Sequence, residues 1–104
     1  MLDISELRRL CSEDRIKWSR HAIKRLRERK ISTSDFKTCI NVGEIIKQYP
    51  DDRPFPSCLI LGWIRPDTAL HTVVGCDSQD LYAITAYYPD VKEWESDMKT
   101  RKEK

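Results

Sequence analysis

Three stretches in the first part of the chain carry apolar residues at the spacing of an α-helix. Residues 3–11 form the first and residues 19–30 the second, and the third follows the capping sequence at residues 32–35. Ser19 is placed to act as an N-cap, because its hydroxyl can accept an early backbone N–H. Gly43 is placed to end the third helix in a left-handed conformation. The pattern therefore predicts three helices before residue 44, with a brief extended piece at residues 16–18.

The period changes to that of a β-strand after Gly43. It predicts four strands, at residues 44–49, 57–64, 70–76 and 81–88. The second of these is almost entirely apolar, so we expect it to be central and covered on both faces. The connections between the strands are short, which favours an antiparallel meander. Beyond Pro89, residues 91–103 carry Val91, Trp94 and Met98 on one side, which predicts a charged C-terminal helix.

This order of elements predicts an α+β fold in one domain spanning residues 1–104. The N-terminal helices are expected to pack on a curved four-stranded antiparallel sheet, with the C-terminal helix beyond it. Residues 15–97 are the expected core of the domain, after an N-terminal helix at 1–14 and before a frayed end at 98–104.

Charge is distributed unevenly along the chain, although the formal net charge is only +2. Residues 15–30 hold eight basic residues and one acid, Glu28. A local basic field of this kind attracts phosphates. Neither a long apolar run nor the apolar core of a signal peptide is present, so we expect a cytoplasmic protein without a membrane partner.

The four cysteines are isolated in apolar surroundings, at Cys11, Cys39, Cys58 and Cys76. Their spacing matches no zinc-binding pattern and disfavours disulfides. We expect reduced, buried thiols, no metal site and no cofactor.

His21 and Arg25 stand one helical turn apart on the predicted basic helix. An imidazole and a guanidinium at this spacing can address one phosphate, the first moving a proton and the second holding charge. The alternative interpretation is a solvated basic helix, in which His21 is a partly buried residue near the N-terminus.

Several segments match, in order, those of a family of small prokaryotic domains of unknown function related to the RelE, ParE and BrnT-type toxins of toxin–antitoxin systems. These segments are IKWSRHA at 16–22, GEII at 43–46, PSCLILG at 56–62, LHTVV at 70–74 and ITAYYP at 84–89. The chain resembles this family over about residues 15–97. The resemblance implies a RelE-like fold.

The resemblance also implies that catalytic groups lie on the sheet, where Tyr87 matches the position of a catalytic tyrosine or lysine. The predicted strands contain a single cation, Lys47, so cationic assistance would have to come from Arg25, Arg53 or Lys92. His71 is either a catalytic residue or an ordinary half-buried strand residue. Tyr87 and Tyr88 point to opposite faces of a strand, so one can pack in the core while the other is exposed.

Two functions follow from these observations. The first is a toxin that cleaves mRNA as a metal-independent endoribonuclease, with His21 or His71 as acid or base, Arg25 as oxyanion partner and Tyr87 as a positioning or acid group. RNA, free or on the ribosome, would bind a basic surface made of Arg15, Lys17, Arg20, Lys24, Arg25 and Arg29. The resemblance implies that its protein partner is a cognate antitoxin, for which a zinc-finger protein is the expected type. The second function is a non-catalytic interaction module that binds a partner protein.

Overall fold

The computed structural model describes residues 1–103, which form three helices and five strands. In chain order these are α1 (Ile4–Ser12), β1 (Ile16–Trp18), α2 (Arg20–Glu28), α3 (Thr33–Val42), β2 (Glu44–Tyr49), β3 (Ser57–Arg65), β4 (Thr68–Cys76) and β5 (Leu81–Tyr87). Every predicted helix before residue 44 and every predicted strand is present within a few residues of its predicted bounds.

The helix starts follow from their capping residues. The Ser19 hydroxyl accepts the backbone N–H of Ala22 at 3.0 Å, and the Ser32 hydroxyl accepts that of Asp35 at 2.9 Å. Gly43, however, is extended with φ −90°, so the prediction of a left-handed conformation is wrong. A Cβ at Gly43 would lie 2.5 Å from the Leu61 carbonyl oxygen, so glycine is needed there for the close approach of α3 to β3.

The five strands form one mixed sheet in the order β1-β5-β4-β3-β2. Strands β2 to β5 pair antiparallel, whereas β1 runs parallel to β5, with Ile16 opposite Leu81 and Trp18 opposite Ala83. The prediction of a four-stranded antiparallel sheet with a RelE-like arrangement is therefore wrong. The cause is β1, which is too short to show a period and joins the sheet through a strand far along the chain.

The predicted C-terminal helix is also wrong, because the chain forms no helix between Tyr88 and residue 103. Residues 93–102 instead form a hairpin, in which Trp94 bridges Arg101 and the backbone N–H of Glu95 donates to the carbonyl of Thr100 at 2.8 Å. The Asp97 carboxylate accepts both the backbone N–H and the hydroxyl of Thr100, at 3.0 and 2.8 Å. These bonds favour a turn over a helix. Lys104, the last residue of the expected frayed end, lies outside the described residues.

The sheet is covered by the helices on one face and in part by the C-terminal hairpin on the other. The helices pack on one face and form the main core, which includes Leu7, Leu10, Leu26, Phe36, Cys39, Ile40, Ile60, Leu70 and Val74. On the other face the C-terminal hairpin lies against His71, and Trp94 is buried there. Residues 57–62 of β3 are buried, as predicted for a strand covered on both faces, whereas Trp63, in the same predicted strand, is 43% exposed. Within residues 1–103, no helix has the length and hydropathy that crossing a membrane requires.

Candidate nucleic-acid interface

Helix α2 turns its apolar residues into the core and its charged residues to solvent. Ala22 and Leu26 are buried, whereas His21, Lys24 and Arg25 are exposed. His21 stands in the first turn of the helix, with Arg25 one turn further on. A phosphate in solution can therefore reach the imidazole and the guanidinium from the same side.

Some of the predicted RNA-binding cations are already engaged within the protein. The Arg15 side chain donates to the Gln79 carbonyl at 2.7 Å and pairs with Asp80 at 3.4 Å. Arg29 donates to the Ala86 carbonyl at 2.8 Å and to the hydroxyl of Thr85 at 3.0 Å. These two arginines hold structural elements together, since Arg15 ties the segment before β1 to the loop between β4 and β5, and Arg29 ties the end of α2 to β5.

Other cations are exposed and make no ion pair with any residue in the described range 1–103. Around the junction of β1 and α2 these are Lys17 in β1, Arg20 and Lys24 in α2, and Arg53 in the turn before β3. Arg25 makes only a loose pair with Glu28 at 3.8 Å. Several of the cations that remain available to a ligand thus lie around the junction of β1 and α2.

A cleft of about 560 Å³ opens at this junction, between the start of α2, strand β5 and the turn between β2 and β3. We call it the β5 cleft. It is lined by the cationic or ionisable residues Lys17, His21 and Arg53 and by the aromatic residues Trp18, Phe55 and Tyr82, with Ser19, Asp52, Pro54, Gly75, Ala83 and Ile84 between them. The cleft has a size that suits a small ligand.

The aromatic side chains of the β5 cleft are held in place by neighbours. The rings of Phe55 and Tyr82 stack with centroids 4.5 Å apart and planes 19° apart. The Tyr82 hydroxyl donates to the Asp77 carboxylate at 2.8 Å, and this bond raises the pKa of Tyr82. Trp18 packs edge-on against the buried Phe36, with centroids 5.1 Å apart. The aromatic part of the cleft is therefore preorganised.

The second group of predicted site residues, His71 and Tyr87, meets on the opposite side of β4 from the helices. His71 is fully buried, and burial lowers its pKa below the ordinary value of 6.5. Its Nε2 lies 2.6 Å from the Met98 carbonyl oxygen, which can only accept, so Nε2 carries the proton. Nδ1 is then the acceptor for the Tyr87 hydroxyl at 3.3 Å.

This pair is closed off by the C-terminal hairpin. Trp94 packs edge-on against His71 with ring centroids 4.6 Å apart, and Arg101 lies over the Trp94 ring at 5.1 Å. Lys99 pairs with Glu44 of β2 at 3.1 Å. His71 thus joins the hairpin to the sheet as a neutral, hydrogen-bonded residue.

The structure brings His71 and Tyr87 together, and it brings His21 and Lys17 together in the β5 cleft. Arg25, His71 and Tyr87 do not line that cleft. Two sets of predicted residues therefore occupy separate places on the domain. Tyr88, next to Tyr87, is 41% exposed.

Phe55 and Tyr82 are cleft residues that the sequence did not single out. Phe55 lies in a proline-rich turn and Tyr82 near the start of β5, so only the tertiary fold joins them. The one signal available was the aromatic character of Phe55 between two prolines, since Tyr82 stands between the apolar residues Leu81 and Ala83.

The cysteines lie away from this surface. All four are buried free thiols, as predicted, and burial raises the pKa of Cys39 to about 11 and that of Cys58 to about 12. Among the residues that the structure describes, no three His, Cys, Asp or Glu side chains form a group that could hold a metal ion.

Comparison with known proteins gives a family but no characterised relative. A family model described as a domain of unknown function, DUF4258, matches residues 18–88, which include α2, α3 and strands β2 to β5. No curated protein and no solved structure matches the chain significantly.

Proposed function

The chain belongs to the DUF4258 family, and from this premise and the geometry of the β5 cleft we propose that it is a metal-independent endoribonuclease acting as the toxin of a toxin–antitoxin system. The observation that carries the proposal is the exposed His21 in one cleft with Lys17, Arg53 and three aromatic side chains. Imidazole, cations and aromatic rings are the groups that a protein uses to bind a single RNA strand and move protons on it.

The chemistry requires one group that moves protons and cations that hold charge. In this proposal His21 takes the proton from a ribose 2′-OH, whose oxygen attacks the adjacent phosphorus. The bond from phosphorus to the 5′-oxygen then breaks, and the protonated imidazole returns a proton to that oxygen. Lys17 and Arg53 stabilise the charge on the pentacovalent phosphate, and Arg25, outside the cleft and one turn along α2 from His21, adds to the basic surface.

His71 and Tyr87 have a different role in this proposal. Their mutual hydrogen bond and the bond from His71 to Met98 hold the C-terminal hairpin on the sheet. A fully buried imidazole cannot reach a phosphate unless the hairpin leaves, so we assign proton transfer to His21 alone.

The toxin role rests on the resemblance to RelE, ParE and BrnT-type toxins. A toxin of this kind is neutralised by an antitoxin that covers its basic surface, and a zinc-finger protein from a neighbouring gene is the expected partner. RNA on the ribosome or free RNA is the expected substrate.

Controlled expression in a bacterial host tests the proposal. Expression of the wild-type chain should arrest growth and shorten cellular mRNA, whereas the His21→Ala variant at equal abundance should do neither. Lys37→Gln is the matched control, because Lys37 pairs with Asp14 at 3.2 Å and does not line the β5 cleft. Normal growth with the wild-type chain, or arrest by His21→Ala equal to that by wild type, would contradict the proposal.

A non-catalytic interaction module is the second candidate, and the free edge of β2 favours it. Strand β2 ends the sheet, and Glu44 and Lys47 on it are exposed. Such an edge can pair with a strand from a partner protein. This function predicts no RNA cleavage, and a proline in place of Lys47 should weaken partner binding if the pairing uses the outer edge.

A further inference from the structure

The β5 cleft joins an apolar floor to a cationic rim, and this combination points to a particular ligand. We propose that the cleft is a binding site for one nucleotide unit, with a base on the Phe55–Tyr82 surface and its phosphate between Lys17, His21 and Arg53. This inference rests on the proposed function and adds to it the part of the substrate that the cleft recognises.

The floor has the properties that a planar base needs. Ile84 is 39% exposed and Phe55 is half-buried, so apolar surface faces the open cleft. Gly75 pairs with Tyr82 across the sheet, and a Cβ added there would make ordinary van der Waals contact with the Ile84 side chain at 3.5 Å. Since glycine leaves that space empty, a flat ring can approach the floor closely.

The charge of the rim selects an anion. Lys17 and Arg53 are exposed without an ion pair to any described residue, and the exposed His21 adds a hydrogen-bonding ring beside them. The single acid, Asp52, is engaged by its own loop, where it accepts the Ser57 hydroxyl at 2.7 Å and the backbone N–H of Arg53 at 3.1 Å. The rim is therefore complementary to a phosphate.

The same geometry favours a single strand over a duplex. A base inside a duplex has both of its faces covered by neighbours, so it would have to leave the stack before reaching the floor of the cleft. The free-energy cost of leaving the stack is much smaller for a base in a single strand. We therefore expect the site to discriminate against paired bases as well as against a backbone without bases.

Binding of a labelled single-stranded oligonucleotide tests the inference by fluorescence anisotropy at fixed low salt. A 2′-O-methyl oligonucleotide resists cleavage through the 2′-oxygen, so binding is measured apart from catalysis. The comparison ligands are its annealed duplex and an abasic oligonucleotide with the same number of phosphates. We expect both to bind about tenfold or more weakly than the single strand, because stacking supplies roughly that factor per base.

Phe55→Ala should weaken binding of the single strand about tenfold and leave binding of the abasic oligonucleotide unchanged. Phe55→Leu tests whether loss of the aromatic ring, rather than of packing, is responsible, and should give most of the same loss. The matched control is Tyr88→Ala, which removes an exposed aromatic ring outside the cleft. Equal binding of the abasic and base-containing oligonucleotides, or equal weakening of both by Phe55→Ala, would overturn the inference.

Competition with a free mononucleotide identifies the source of the nucleotide unit. If the oligonucleotide binds far more tightly than adenosine monophosphate, the ligand is a nucleic acid strand; if the two bind equally, it is a free nucleotide. Both outcomes support the site, and failure of both ligands to bind rejects it. Base-dependent binding without cleavage rejects the nuclease alone, whereas cleavage with base-independent binding rejects the nucleotide site alone.

Discussion

Salt should weaken RNA binding by an amount that the exposed cations determine. Four cations around the β1–α2 junction are exposed and unpaired within residues 1–103, namely Lys17, Arg20, Lys24 and Arg53. Each one that neutralises a phosphate releases counterions from the strand when it binds. The perturbation that tests this is Lys24→Gln, which removes one such charge without touching the β5 cleft.

The magnitude follows from the number of phosphates contacted. If all four cations contact phosphates of a single strand, the slope of log affinity against log salt is about −2.8. Raising salt from about 50 to about 200 mM should then weaken binding about 50-fold. With Lys24→Gln the slope becomes about −2.1, and the same change in salt should weaken binding only about 20-fold.

Anisotropy titrations with the 2′-O-methyl oligonucleotide at several salt concentrations provide the two slopes. Lys37→Gln is the control, since Lys37 is held by Asp14 in the turn after α1. Binding that does not change with salt would refute the electrostatic reasoning. So would a slope that Lys37→Gln lowers as much as Lys24→Gln does.

Three further predictions concern stability. Gly62→Ala should lower the free energy of unfolding by about 1–3 kcal/mol, because its Cβ would lie 2.7 Å from the Cys39 backbone. Gly75→Ala should not destabilise the fold, and urea unfolding of both variants measures the difference. Burial holds the pKa of His71 below 6.5, so the unfolded chain takes up a proton first as pH falls. Stability should therefore be full above about pH 6.5 and decrease below it, and the loss in melting temperature between about pH 7.5 and about pH 5 should be smaller for His71→Gln than for wild type. Trp94→Ala should cost about 3 kcal/mol by opening a cavity over His71, and a loss below about 1 kcal/mol in thermal unfolding would show that the hairpin is not packed there.

Local chemistry made the helices and most of the sheet predictable. Ser19 and Ser32 start their helices through bonds to residues three positions along, which a sequence displays directly. The parallel pairing of β1 with β5 depends on contacts between distant segments, and three residues of β1 carry too little pattern to reveal it. The spacing of apolar residues in the C-terminal segment is typical of a helix, but Asp97 closes a turn there, so the predicted helix does not form.

The candidate site was predictable only where the local sequence determines it. Both the basic character of α2 and the exposure of His21 follow from local sequence. The β5 cleft also needs Arg53 and Phe55 from a turn and Tyr82 from a strand, and only the tertiary fold brings them to His21. Burial of His71 likewise depends on Trp94 and Met98, and no local sequence pattern indicates where these two residues lie on the sheet.

The most direct test of the account is the chemistry of the RNA ends that the purified protein produces in the presence of a metal chelator. Attack by a 2′-oxygen predicts fragments with 2′,3′-cyclic phosphate and 5′-hydroxyl ends, released by the wild-type protein. The His21→Ala variant should cleave about 10²-fold or more slowly while melting at the same temperature. Fragments with 5′-phosphate ends, no cleavage by the wild type, or an unchanged rate for His21→Ala would contradict the assignment of His21 as the proton-transferring residue.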